Sequence, residues 1–218
     1  SAGGPALGAE AQPAPAPRDG IPSSLEAFAQ PYHSFLQAHV RRGGVDYIAA
    51  ARDSRRPLIR EAIAEVDWAQ LSPEGQKAFL IDAYNFLVID LIAERLPMES
   101  VMDVPGFFDR LSIEGPQGTR TLDGLEKGLL YKRFDDPRLH FVLVCGAKSC
   151  PELENRAFSI ALPGGLDQRL DQATRRALNN PVLVSSKDGK LYLSRIFEWY
   201  AEDFGPDQAA RLQWIGQF

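Results

Sequence analysis

The sequence predicts an α+β fold, in which a helical N-terminal half packs on a small, mainly antiparallel sheet; a papain- or transglutaminase-like α+β arrangement is the alternative. Three observations predict it. Apolar residues recur at helical spacing through the first half. Local hairpin signals and one short β-branched run appear in the second. Strand patterns never alternate regularly with helices, which disfavours a doubly wound sheet.

Residues 25 to 43 are expected to be helical, with Phe28, Tyr32, Phe35, Leu36 and Val40 on one face and Gly43-Gly44 as the stop. Shorter helical stretches cover Tyr47 to Ala51 and Leu58 to Val66. The clearest helix is LSPEGQKAFLIDAYNFLVIDLIAERLP. Ser72 is suited to cap it, Pro73 to its first position and Glu74 to its dipole, and Pro97 marks its far end. Apolar residues surround most of its circumference, which predicts the centre of the core. LSIEGPQGTRTL reads as a small hairpin, and Asp123 to Glu126 has capping-box spacing that opens another helix. LHFVLVCG is short and β-branched and reads as a central strand. GLDQRLDQATRRALNNP is an amphipathic helix, and VLVSSKDGKLYLS is a hairpin turning at Asp188-Gly189. RIFEWYAEDFG is an aromatic-rich helix closed by Gly205, and residues 207 to 218 form one more.

The 218 residues, 44% hydrophobic, suit a single globular domain over 25–218, preceded by a flexible arm at 1–24. The arm, SAGGPALGAEAQPAPAPRDGIPSS, is rich in Ala, Pro and Gly and has almost no apolar pattern. Such spacers often follow a removed signal peptide or lipid anchor in exported bacterial proteins, so a periplasmic or otherwise exported location is expected; a cloning remnant explains the first few residues equally well. Lys and Arg number 24 against 29 Asp and Glu, for a net charge of -5, so the basic footprint of a nucleic-acid binder is missing. No apolar run is long enough to span a bilayer, since Asp82, Asn85 and Asp90 interrupt the longest.

Four segments, FLIDAYNFLVIDLI, LDGLEKGLL, DPRLHFVLVCGAKSCPEL and LYLSRIFEWYAEDFG, resemble the family known as domain of unknown function 547, from about Leu71 to Gly205. The cysteine segment is the most specific part. Relatives usually have asparagine where Asp82 stands, often tryptophan near Leu80, and commonly histidine where Lys127 stands. The resemblance implies a shared structural unit and supplies no activity.

The two cysteines, Cys145 and Cys150, enclose four residues that include Gly146, so a tight loop can join them as a disulfide in an oxidising compartment. A catalytic reading is also open. Ser149-Cys150-Pro151-Glu152 resembles a helix start, where a thiol becomes more nucleophilic. His140 then serves as base, with Glu126 or Asp82 orienting it. A metal site is disfavoured, because the H-x4-C-x4-C spacing is not a usual zinc pattern. No nucleotide-binding glycine loop, serine elbow or zinc-helix motif is present, so no cofactor is expected. Glu126 reads most simply as the partner of Asp123 in a helix cap. Asp82, Tyr84 and Asn85 interrupt an apolar helix; Asp82 and Asn85 form a polar stripe that is either a structural network or the floor of a cleft. With Trp199 they are the candidate binding residues. On the bland reading His140 is a buried imidazole satisfied by Asp82, Asn85 or Glu126.

Taken together, the residues favour a non-catalytic envelope domain that binds a protein partner or small ligand, with a thiol-dependent hydrolase or acyl-transferase using Cys150 and His140 as the alternative. The arm offers almost no apolar surface to bury. Deleting it up to about Ser24 is therefore expected to shift the thermal midpoint negligibly; a loss of more than about 1–2 kcal/mol in a denaturation experiment would show that it docks on the domain.

Overall fold

The computed structural model describes residues 22–42, 44–147, 150–160 and 165–218. Most of the proposed arm therefore lies outside the described residues.

Helix α1 (Ser23–His39) begins inside the segment assigned to the arm and ends four residues before Gly43. The longer helix expected there is corrected by a reversal. β1 (Val40–Arg41) and β2 (Gly44–Val45) pair antiparallel, and Arg42 adopts a left-handed φ of 50°. α2 (Tyr47–Ala51) is capped by Asp46, and α3 (Arg55–Glu65) follows. Both agree with the sequence pattern.

α4 (Pro73–Glu94) is the expected central helix. The Ser72 hydroxyl accepts from the Gly75 amide at 3.1 Å, and residues from Ala78 to Ala93 are buried without interruption. Its apolar circumference is met on one side by α1. There Phe28 meets Phe79 edge-on at 5.1 Å, and Tyr32 and Phe35 meet Phe86 at 5.9 and 5.7 Å. α3 is tied to the same helix by charge, since Arg56 and Arg60 both donate to the buried Asp90 carboxylate.

β3 (Ile113–Gly115) and β4 (Gly118–Arg120) form the first predicted hairpin. α5 (Leu122–Leu125) starts two residues earlier than the capping-box spacing implied, because Thr121 is the cap and its hydroxyl accepts from Gly124 N at 3.0 Å. The chain then widens into a π-helical turn over Glu126–Tyr131.

The expected central strand is absent. Pro137–Phe141 forms a 3-10 turn capped by Asp136, Val142 continues the turn, and residues 143 to 145 have no regular secondary structure and pair with no strand among the described residues. The β-branched apolar run is satisfied another way. Val142, Leu143 and Val144 are buried in the main core, and the Asn85 side chain supplies the hydrogen bonds a neighbouring strand would make. Its amide donates to Val142 O and its oxygen accepts from Val144 N, both at 2.9 Å. Asp82, one helical turn earlier, accepts from Phe158 N, Ser159 N and the Ser159 hydroxyl at 2.9, 2.7 and 2.6 Å.

α6 (Gly165–Leu178) is followed by β5 (Val184–Lys187) and β6 (Lys190–Leu193), the second predicted hairpin. Asp188 and Gly189 both take positive φ, as the tight turn requires. The aromatic helix is shorter than expected. α7 (Ile196–Trp199) gives way to a 3-10 turn at Ala201–Phe204, and α8 (Gln208–Ile215) is capped by Asp207. Phe141, Leu183, Phe197 and Phe204 form a second, smaller core against Trp214 and Phe218. The fold is thus α+β, but among the described residues its strands are three separate two-stranded antiparallel ribbons instead of one sheet.

Asn85→Ala leaves the Val142 carbonyl and Val144 amide buried without partners. The expected cost is about 2–4 kcal/mol in urea denaturation, with helical circular dichroism retained at zero denaturant. A loss under about 0.5 kcal/mol would show that water or a shifted segment replaces the clamp.

Candidate functional site

A cleft with a volume of about 1010 Å³ opens between the turn after α4, the π-helical turn, the disulfide loop and α7. Six of the eight residues singled out from sequence line it: Tyr84, Glu126, His140, Cys145, Cys150 and Trp199. Asp82 and Asn85 do not. Both turn to backbone of neighbouring segments, so on α4 they form the structural network and only Tyr84 reaches the cleft.

Cys145 and Cys150 are joined as a disulfide, with α-carbons 6.1 Å apart. Gly146 holds the loop tightly to the end of α4 at a φ of +75°, where an added Cβ would lie 2.8 Å from Ile92 and 3.0 Å from Val101. The chain from Pro151 to Glu154 is not helical, which corrects the expectation of a thiol at a helix N-terminus. With both sulfurs joined, Cys150 presents no thiolate in this state.

Glu126 is not the cap partner of Asp123, whose carboxylate instead takes Lys127 at 2.9 Å. The π-helical turn, a feature frequent at functional sites, begins at Glu126. Its carboxyl is the centre of a phenol cluster, accepting from Tyr84 at 3.0 Å and Tyr200 at 3.4 Å, with Tyr131 beside it. Burial pushes this carboxyl upward against the opposing effect of the phenols. The phenols respond in turn: burial and the Glu126 charge push Tyr200 up to about 12, and Tyr84 and Tyr131 are also raised.

His140 sits in the 3-10 turn and lines the cleft. Its partner is Asp203, not Asp82, Asn85 or Glu126: Nε2 lies 2.7 Å from the Asp203 carboxylate. The ring stacks on Tyr200 at 4.0 Å and meets Tyr131 edge-on at 4.7 Å. Burial holds its pKa below the usual histidine range, outweighing the attraction of Asp203. Nδ1 is buried and has no hydrogen-bond partner. Tyr131, Tyr200 and Asp203 were therefore missed from sequence. The only signal was that YAEDF sets an acidic pair among aromatic residues after α7, and nothing in its spacing linked it to His140.

The rim is apolar. Met102, Trp199 and Val182 are 80%, 66% and 61% exposed and all line the opening. Among the described residues no cluster of His, Cys, Asp and Glu is placed to hold a metal, and no helix is long and apolar enough to cross a membrane.

Asp82, excluded from the cleft, carries a pH signature of its own. Burial pushes its carboxyl up to about 6 despite three hydrogen bonds. A carboxyl with a raised folded pKa holds its proton more tightly in the native state, so its contribution is fully present below about pH 4 and is lost as pH rises through about 6. The stability of wild type relative to Asp82→Asn should therefore fall by roughly 1–3 kcal/mol between those limits. Denaturation midpoints for both proteins across the range check this, and a flat or rising difference contradicts it.

No curated protein and no solved structure matches the chain. One family model does, over residues 68–177, and its description is "Protein of unknown function, DUF547". The match takes in α4, the phenol cluster's Tyr84, Glu126 and Tyr131, His140 and the disulfide, and stops short of the segment that carries Trp199, Tyr200 and Asp203. It spans just over half of the sequence, and the chain belongs to the DUF547 family.

Proposed function

We propose that this is an exported domain whose disulfide-walled cleft binds a small ligand or a side chain of a protein partner, without catalysis. The observation that carries the reading is the cleft itself. Exposed Trp199, Met102 and Val182 stand over a floor of hydrogen-bonding groups, which is the composition of a binding pocket: mostly apolar contact area with a few convergent polar atoms. The disulfide supports an oxidising location.

A thiol-dependent hydrolase or acyl-transferase is the second reading. In its favour Cys150, His140 and Glu126, chosen from sequence, line the same cleft. The orienting group behind His140 would then be Asp203, not Glu126. This chemistry needs Cys150 reduced.

The two readings separate in one set of measurements on protein isolated from an oxidising compartment. Binding predicts no titratable thiol in native or denatured protein without reductant. It also predicts saturable thermal stabilisation by members of a small-molecule library, weakened about tenfold or more by Trp199→Ala, a change at an exposed position that leaves the unliganded midpoint nearly unchanged. Two free thiols, with iodoacetamide labelling of Cys150 that slows sharply in a stably folded His140→Ala protein, would reverse the ranking.

A further inference from the structure

We propose that the ligand group received by this cleft is an amine carried on an apolar body, held between the Glu126 carboxylate and the free Nδ1 of His140. The proposal rests on the binding reading above and names the chemistry of its ligand.

The imidazole states half of it. The Asp203 carboxylate only accepts hydrogen bonds, so Nε2 carries the proton and Nδ1 is left as a lone pair. Several buried polar atoms among the described residues lack a hydrogen-bond partner, but His140 alone among their residues lines the large cleft. A buried acceptor without a donor is destabilising, and a ligand N–H removes that cost.

Glu126 states the other half. Glu126 is half-buried, its hydrogen bonds come from phenols, and no lysine or arginine lies within ion-pair distance of it among the described residues. Lys127, the nearest residue in sequence that could neutralise it, is taken by Asp123. A partly desolvated carboxylate without a paired cation gains when one arrives. Asp109, Asp123 and Glu126 line the cleft against Lys127 and Arg195, and each of those two cations already faces a carboxylate. The field thus favours a cation and opposes an anion.

The rim agrees. Arg195 lies over the Trp199 ring at 5.9 Å, so that exposed ring already receives a cation on its face. Met102 and Val182 complete an apolar surface for the body of the ligand. A neutral alcohol meets His140 but leaves Glu126 uncompensated; a carboxylate meets neither.

The test uses the full chain, oxidised, and three probes with a common body: phenethylamine, phenethyl alcohol and phenylacetate, titrated by calorimetry at neutral pH. The amine should bind about tenfold or more tighter than the alcohol, and phenylacetate should give no heat of binding. Glu126→Gln should weaken the amine about tenfold while changing the alcohol little. Asp203→Asn, which frees the tautomer, should weaken both. Amine affinity should also fall as pH drops and His140 and the Glu126 carboxyl, which burial raises, take up protons, whereas the alcohol should respond to His140 alone. The groups that face its ring, Asp203, Tyr131, Tyr200 and, through its field, Asp136, carry no other imidazole that titrates there. Should Glu126→Gln fail to fold, Trp199→Phe and the pH series carry the test. Equal binding of alcohol and amine, or preference for phenylacetate, overturns the amine assignment and leaves the cleft a binding site. Absence of binding by all three also overturns it, and the library screen then decides the binding reading separately.

Discussion

Two polar side chains on a buried helix hold this molecule in its shape. Asn85 and Asp82 sit one turn apart on α4, in surroundings that are otherwise apolar. Between them they make five hydrogen bonds, four to backbone amides or carbonyls and one to a hydroxyl, in segments 142–144 and 158–159. Those segments flank the disulfide loop in sequence and belong to no sheet. Backbone outside helix and sheet cannot be buried unless its polar groups are met. The helix meets them with side chains, and so takes the place that a central sheet occupies in most α+β domains.

The cleft follows from that arrangement. Because Val142 and Val144 are pinned to α4, the turn just before them fixes His140 and Phe141 in adjacent but different surroundings. Phe141 enters the second core with Phe197 and Phe204. His140 faces the cleft and is clasped by Tyr200 and Asp203 from the same C-terminal unit. The second core therefore positions the imidazole's orienting carboxylate. From the other side, the π-helical turn carries Glu126 to Tyr84 on α4 and to Tyr200. Tyr200 touches both ionisable groups, with its hydroxyl on one and its ring on the other, and links the two halves of the site.

Periodicity made the helices and both longer hairpins legible, because each is set by local burial pattern and by turn chemistry that is written in a few residues, such as Ser72-Pro73 and Asp188-Gly189. The run HFVLVC was misread for a definite reason. A β-branched apolar segment states that it is buried, but not which backbone conformation it takes or what meets its polar groups. Here the pairing group was an asparagine 57 residues earlier in the chain. The same limit hid Asp203, which lies 63 residues from His140. Ionisable residues chosen for their chemistry, Cys150, His140 and Glu126, did converge on one cleft, whereas their pairwise roles depended on distances that no local pattern encodes.

The positions where this chain departs from the usual family pattern have structural consequences of unequal weight. Asp82 accepts three hydrogen bonds and donates none. An asparagine there could satisfy the donors at its oxygen only, with its amide group facing the Ser159 amide. Aspartate thus matches a site made wholly of donors, at the cost of burying a carboxyl. Lys127 is different, because it lines the cleft and its ammonium is taken up by Asp123. Where relatives commonly carry an imidazole, this chain has a neutralised cation, and His140 is the only histidine lining the cleft. If that imidazole is catalytic in relatives, this chain lacks it, and beside the cleft floor the proton-exchanging groups are His140, Glu126 and the phenols between them.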